Sequence, residues 1–219
     1  MRRKRHGPVD GLRSASLVDA MGRVHRHRAH LGPLVSPTPG RVLFGPVVTM
    51  AFMPARDDLP ESDLDFGRLF GHAVKDAEAG AVLVLSSGGY AEASHAGAVK
   101  LSRLQHHRMA GLLTDGRVRD FAELARFEFA TWCGGEAIRW GGDCVMPFAA
   151  NVAVEVGGVC VNPGDFAFAD AAGAVIIPSG SLDRVLAEAR AIDEDDARLL
   201  QQWGDKYAAE ARGPDLGDG

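Results

Sequence analysis

Arg119 and Asp120 stand side by side at the end of the run Gly111-Leu112-Leu113-Thr114-Asp115-Gly116-Arg117-Val118. An apolar run that stops at Asp115-Gly116 predicts a buried strand leading into a tight turn. A guanidinium and a carboxylate are then presented together where strand ends and a helix start can converge. A fixed planar cation suits a bound carboxylate, and a neighbouring hard oxygen anion suits Mg²⁺. Side by side, the two groups can hold a 2-oxo acid and polarise it. Taken alone, the dipeptide reads as a surface ion pair at a helix start. Its surroundings change that reading, because Ser86-Ser87-Gly88-Gly89 and His95-Ala96-Gly97 precede it at the ends of further predicted elements.

The other chemistry-bearing residues are less pointed. His95, with an ordinary pKa near 6.5, suits a proton donor, but a loop histidine that only fills space is the plainer reading. Ser86 and Ser87 have no Ser-His-Asp pattern to make either a nucleophile. His25, His27 and His30 alternate with Arg26 and Arg28. That spacing does not put the three imidazoles on one helical face, and the arginines repel a cation. A solvated basic loop results, or one that attracts an anion. His106-His107 receive no role. Gly88, Gly89 and Gly97 lack the spacing and the following acid of a dinucleotide fingerprint. Asp193-Glu194-Asp195-Asp196 reads as a solvated helix face.

These residues must be placed by one domain. A chain of 219 residues, 46% hydrophobic and 24% charged, can bury a substantial core. A net charge of −5 argues against a nucleic-acid partner. No apolar run approaches the roughly 18 residues needed to span a bilayer, so no membrane partner is expected. Met1-Arg2-Arg3-Lys4-Arg5-His6 is basic with no apolar core behind it, unlike a secretory signal. Cys133, Cys144 and Cys160 are odd in number without CxxC spacing, which fits reduced thiols and a cytoplasmic location.

Residues 1–10 read as a basic flexible tail, 11–207 as a single domain and 208–219 as a flexible carboxy-terminal tail. Ser14 or Ser16 caps a short helix ending near Gly22. Pro33 to Gly40 is a loop. Arg41 to Met53 holds a strand whose Gly45-Pro46 predicts a bulge or an edge position. A helix is predicted over 65–79. The five apolar residues Ala81 to Leu85 predict a strand covered on both faces, followed by a helix from about Gly97 to Met109, the strand at Leu112-Leu113 and a short helix carrying Asp120, Glu123 and Leu124. This order implies a parallel βαβ unit. Short strands follow at 127–132, 151–156, 159–161, 166–169 and 175–177. The last helix, 181–207, places Leu182, Val185, Leu186, Ala189 and Ile192 at helical spacing. The class is α/β with a mixed sheet.

In order and spacing, these segments resemble the family of regulator of ribonuclease activity A (RraA) and the 4-hydroxy-4-methyl-2-oxoglutarate aldolases, often mislabelled demethylmenaquinone methyltransferases. The resemblance rests on Ser16 to Gly22, Gly45 to Met50, Gly80 to Val84, Gly111 to Asp120, Val154 to Gly158, Val161 to Asp165, and Ala169-Asp170 with Gly173 and Val175 to Pro178. It covers roughly residues 11–200. It implies a swivelling β/β/α domain of the RraA-like type, assembled as a homotrimer or hexamer with sites between subunits. The aldolase members are metal-dependent lyases that release pyruvate and also decarboxylate oxaloacetate.

Carried over position by position, the resemblance makes Arg119 the grip on the pyruvyl carboxylate and Asp120 the direct ligand of Mg²⁺ or Mn²⁺. Glu123 becomes the trailing acid that orders metal-bound water, and the segment Gly97, Ala98, Val99 and Lys100 offers backbone N–H groups to the substrate. One of the acids at 193–196 would reach a neighbouring subunit's site. Two positions depart from the pattern: Ala98 stands twenty intervening residues before Arg119, where the aldolases usually carry Asp, and Ser86 stands where many members have Asp. The expected function is a divalent-metal-dependent lyase of a small 2-oxo acid, with His95 as a candidate substitute for the missing acid. A diverged biosynthetic enzyme using the same pocket, or a non-catalytic regulator that binds a ribonuclease or another protein, are the alternatives.

Overall fold

A computed structural model describes residues 7–60 and 64–211, without the side chains of 209–211. In chain order the helices are α1 (Ser14–Val24), α2 (Phe66–Val74), α3 (Ala98–His106), α4 (Phe121–Leu124) and α5 (Leu182–Ala211). The strands are β1 (His30–Leu31), β2 (Leu43–Pro54), β3 (Val82–Ser86), β4 (Ser94–Ala96), β5 (Gly111–Thr114), β6 (Arg117–Val118) and β7 (Ala130–Trp132). They continue with β8 (Gly135–Glu136), β9 (Val145–Ala150), β10 (Val154–Val156), β11 (Val159–Val161), β12 (Phe166–Asp170) and β13 (Gly173–Ile177).

The main sheet runs β1-β13-β12-β2-β3-β5-β7, with β9 also paired to β2. It is mixed, as expected. β2, β3, β5 and β7 are mutually parallel, whereas β12 and β9 run antiparallel to β2. β3 and β5 are buried along their whole length. This follows from Val82 to Leu85 and Leu112-Leu113, which carry no polar side chain to turn outward. One sheet face packs on α2 and α3 through Phe66, Phe70, Leu101 and Leu104. The other packs on the β10–β11 hairpin through Val154, Val156, Val159 and Val161. A third cluster joins α1 and α5 to β12 and β13.

Several expectations are corrected. Gly45-Pro46 lies neither at an edge nor at a bulge but in the central strand, where Phe166 pairs with Pro46 and the parallel pairing to β3 begins only at Val47. Glycine is needed at 45 because a Cβ there would stand 2.0 Å from the Gly80 carbonyl oxygen. The irregularity in β2 falls instead at Ala51/Phe52 against β9. The helix predicted over 65–79 ends at Val74, with Asp65 accepting from the Arg68 N–H at 2.9 Å as its cap. Gly7–Val9 form a short 3₁₀ turn and Val9 is buried, so packing begins before residue 11. Residues 1–6 lie outside the described residues. At the other end α5 runs to Ala211, past the predicted limit at 207, and residues 212–219 lie outside the described residues.

No side chain of α1 caps its own helix. Instead Asp170 accepts from the Ser14 N–H at 2.9 Å and from its hydroxyl at 2.8 Å. On the facing helix, Asp193 accepts from Ser16 Oγ and from the Arg13 guanidinium. Burial raises the Asp193 carboxyl, but those two donors and the positive charge of Arg13 outweigh it, and the net direction is downward. The linkage has a definite sign. This stabilisation is fully present above the unfolded carboxylate value near 4 and is lost as pH falls through the lower folded value. Asp193→Ala is expected to lower unfolding free energy by roughly 1 kcal/mol at pH 7. In urea titrations the difference from the unmodified protein should shrink toward pH 3.

Candidate active site

Gly97 is the amino-terminal cap residue of α3, and β6 ends beside it because the Arg119 N–H donates to the Ala96 carbonyl at 2.9 Å. This bond joins two segments more than twenty residues apart and sets Arg119-Asp120 against the amino end of α3. Asp120 adopts a left-handed backbone, φ 68° and ψ 44°, a conformation Asp tolerates better than most residues. Its Oδ2 accepts from the Ala98 N–H at 2.9 Å. Asp120 therefore caps α3 rather than its own helix, whose first N–H, that of Phe121, donates to Glu136 at 2.8 Å. Glycine at 97 permits this arrangement, since a Cβ there would stand 2.6 Å from Asp120 Oδ2.

These elements wall a cavity of about 250 Å³, which suits a small acid better than a nucleotide cofactor. His95, Gly97, Val99, Lys100, Arg119 and Asp120 line it. Among the described residues the half-buried Arg119 guanidinium has no hydrogen-bonding or ionic partner. Of the α3 amide groups, that of Ala98 is taken by Asp120, which leaves those of Val99 and Lys100 at the helix start. A carboxylate placed there meets a guanidinium, two N–H groups and the positive end of the helix.

His95 is 1% exposed. Its Nε2–H donates to the Ser87 carbonyl at 3.0 Å, and its ring packs edge-on to Phe52. Its Nδ1 is buried without a hydrogen-bonding partner and stands 2.5 Å from where a Cβ at Gly116 would lie. Burial pushes the imidazole pKa down, against smaller raising effects of the Ser87 carbonyl and Asp115. The ring is part of the wall, with one nitrogen committed and the other turned on the Gly116 backbone.

Glu123 departs from expectation. It does not line the cavity, and both of its carboxylate oxygens accept from Arg126, at 2.8 and 2.9 Å. Arg126 follows the end of α4 and stands three residues after Glu123, in the turn where its N–H also donates to the Glu123 carbonyl, which makes that pair the nearer option. The side of Ala98 also stays outside the lining. Ser86 is buried, and the following Ser87 is held by Asp115 through its N–H and hydroxyl. In the acid run of α5, Asp193 is engaged within its own chain, while residues 194–196 are exposed. The histidines at 25, 27 and 30 line a separate groove with Arg26 and Arg28.

The opposite wall was not read from the sequence. Trp140, Gly141, Gly142, Val145 and Pro147 complete the cavity with Phe52. The available signal was Trp140-Gly141-Gly142: a Cβ at Gly141 would stand 2.4 Å from the Ser94 carbonyl oxygen, so the loop lies directly on β4.

The donor set can be tested against a divalent metal. Among the described residues Asp120 is the only carboxylate lining the cavity, and no group of three His, Cys, Asp or Glu is arranged to hold a metal. A single carboxylate is a donor set that fits Mg²⁺, which keeps most of its water and needs only one or two carboxylates, better than Zn²⁺.

Comparison with known proteins agrees with this architecture. The sequence model of the RraA-like family, described as Aldolase/RraA, matches residues 14–176. The chain belongs to that family. A protein of Halalkalibacterium halodurans named "Putative 4-hydroxy-4-methyl-2-oxoglutarate aldolase" is 31% identical over 137 residues, 63% of this chain and 65% of that protein. Protein DlpA of Legionella pneumophila is 24% identical over 163 residues, 73% of this chain and 25% of that protein. The chain thus spans just under two thirds of the first of these curated relatives and a quarter of the second. Among solved structures, Streptomyces coelicolor RraAS2, described as an unusual member of the RNase ES inhibitor RraA protein family, superposes with a TM-score of 0.75. That likeness covers 90% of this chain and 95% of the other at 24% identity, and it shows the fold alone. No described helix is long and apolar enough to cross a membrane.

Proposed function

We propose that this chain is a lyase that cleaves a small 2-oxo acid, by retro-aldol cleavage releasing pyruvate or by decarboxylation of oxaloacetate. The observation that carries the reading is the Arg119 guanidinium, partnerless among the described residues, in a cavity beside the Val99 and Lys100 amide groups. A planar cation and two converging N–H groups bind a carboxylate in a fixed orientation. Asp120 lines the same cavity directly beside Arg119. Asp120 would hold Mg²⁺ or Mn²⁺, which when bound polarises the substrate's 2-oxo oxygen. Phe52, Trp140 and Pro147 give the opposite wall an apolar surface that limits water at the reacting carbon.

Val99, Ile138 and Trp140 are 82%, 96% and 63% exposed on and next to the cavity wall. Apolar side chains so exposed around a site support a homotrimer or hexamer in which a neighbouring copy covers them. The expected result for the purified protein is pyruvate formation from oxaloacetate or 4-hydroxy-4-methyl-2-oxoglutarate, followed with a lactate dehydrogenase couple. Turnover should fall with EDTA and return with excess Mg²⁺. Absence of pyruvate from both substrates in the presence of Mg²⁺ and Mn²⁺ would remove the lyase reading, and turnover indifferent to chelation would remove the metal.

A further inference from the structure

We propose that Lys100 is the catalytic residue that delivers the proton to the enolate carbon of the product. This rests on the lyase reading above and names the group that completes its chemistry. Carbon–carbon cleavage sends the bonding electron pair onto the 2-oxo group, leaving the enolate of pyruvate with CO₂ or, once the C4 hydroxyl has lost its proton to water, with a carbonyl compound. C3 of the enolate then needs one proton. Among the described residues four titratable side chains line the cavity: His95, Lys100, Arg119 and Asp120. The Arg119 guanidinium cannot release a proton at a working pH. The Asp120 carboxylate is an acceptor, tied to the Ala98 N–H at 2.9 Å. His95 gives its Nε2–H to the Ser87 carbonyl at 3.0 Å and turns its buried Nδ1 on Gly116. Position 98 carries only a methyl group. Lys100 is what remains.

The surroundings of Lys100 suit the task. It is the third residue of α3, half-buried, with its ammonium 5.0 Å from the Phe66 ring centroid. The charged groups that act on it are Asp65 at the start of α2, Arg103 one turn further along α3, and Arg119. Asp65 accepts from the Arg68 N–H as the cap of α2, and its charge acts on Lys100 against the effect of burial. Burial, then the two guanidiniums, push the Lys100 pKa below the ordinary lysine value, with Asp65 opposing. A weakened hold on the proton favours transfer from Nζ to carbon, and water restores the proton to the neutral amine afterwards. The four-carbon stem lets Nζ move from the Phe66 ring into the cavity without displacing backbone.

The test separates this step from cleavage. Run backward, the same transfer exchanges the methyl protons of pyruvate with solvent deuterium, which ¹H NMR follows directly with Mg²⁺ present. The unmodified protein is expected to catalyse exchange at a rate that rises with pH and levels off below the ordinary lysine value, as the neutral amine becomes available. Lys100→Met and Lys100→Gln should lower exchange by about 10²-fold and abolish that pH dependence, while oxalate still binds in calorimetry through Arg119 and the backbone N–H groups that both variants keep. Exchange at the unmodified rate in both variants would overturn the role of Lys100 and leave the lyase reading standing. Joint loss of exchange and oxalate affinity would make Lys100 a binding cation and overturn the proposal equally. A protein that neither exchanges pyruvate nor cleaves either oxo acid would sink both readings together.

Discussion

Asp120→Asn is expected to lower pyruvate release by about 10³-fold while leaving unfolding free energy within roughly 0.5 kcal/mol of the unmodified protein. The two halves of that expectation have separate physical origins. Asp120 holds a left-handed backbone and accepts the Ala98 N–H at 2.9 Å, and an asparagine side chain does both without its charge. What asparagine cannot supply is an anionic oxygen for a hard dication. Asp120→Ala should fail on both counts. It loses the acceptor at the amino end of α3 and puts a residue poorly suited to positive φ at the same place, at a combined cost of roughly 2–3 kcal/mol. Urea denaturation and oxaloacetate turnover, measured on both variants, divide structure from chemistry. An Asn variant that keeps its turnover would mean that the carboxylate is only a helix cap and that the charge on the site comes from elsewhere.

The asymmetry between what could and could not be read from the chain has physical causes. β3 and β5 announce themselves because strands buried on both faces must be apolar throughout, and Val82 to Leu85 and Leu112-Leu113 are. Arg119 and Asp120 were legible because the Asp115-Gly116 turn fixes where β5 stops, and the α3 start was legible at Gly97. β4, β6 and β8 were not predicted. Strands of two or three residues have no period to detect, yet their parallel pairing brings Ala96 to Arg119 and so builds the site. β9 was hidden by Pro147, which sequence logic counts against a strand and which here faces the cavity at a point where the pairing with β2 is already irregular. Glu123 lies where the sequence puts it, its N–H on the Asp120 carbonyl. The water-ordering role that the resemblance implies for it takes no account of Arg126, from which its carboxylate accepts. Identity along the chain thus located the charged pair, whereas the wall facing it depended on close backbone approaches such as Gly141 on Ser94.

Gly97→Ala should damage turnover and stability together, because its one added methyl group falls on the charged pair itself. The backbone at 97 is extended, φ −137° and ψ −176°, so an alanine there meets no conformational penalty. The obstacle is the carboxylate of Asp120: the new Cβ would stand 2.6 Å from Oδ2 and 3.6 Å from the Arg119 Cβ. The carboxylate must move off the Ala98 N–H, and the Arg119-Asp120 turn moves with it. Overpacking of this kind costs roughly 1–3 kcal/mol in stability, and a displacement near 1 Å at a reacting group costs on the order of 10²-fold in turnover. A double-mutant cycle identifies the cause. In an Asp120→Ala background the obstructing oxygen is gone, so adding Gly97→Ala should cost far less stability than it does alone, with a coupling of roughly 0.5–3 kcal/mol. Additive losses would mean that residue 97 and residue 120 act independently. The contact through which the helix start and the charged pair are held as one unit would then have to be sought in the Arg119 N–H to Ala96 bond instead.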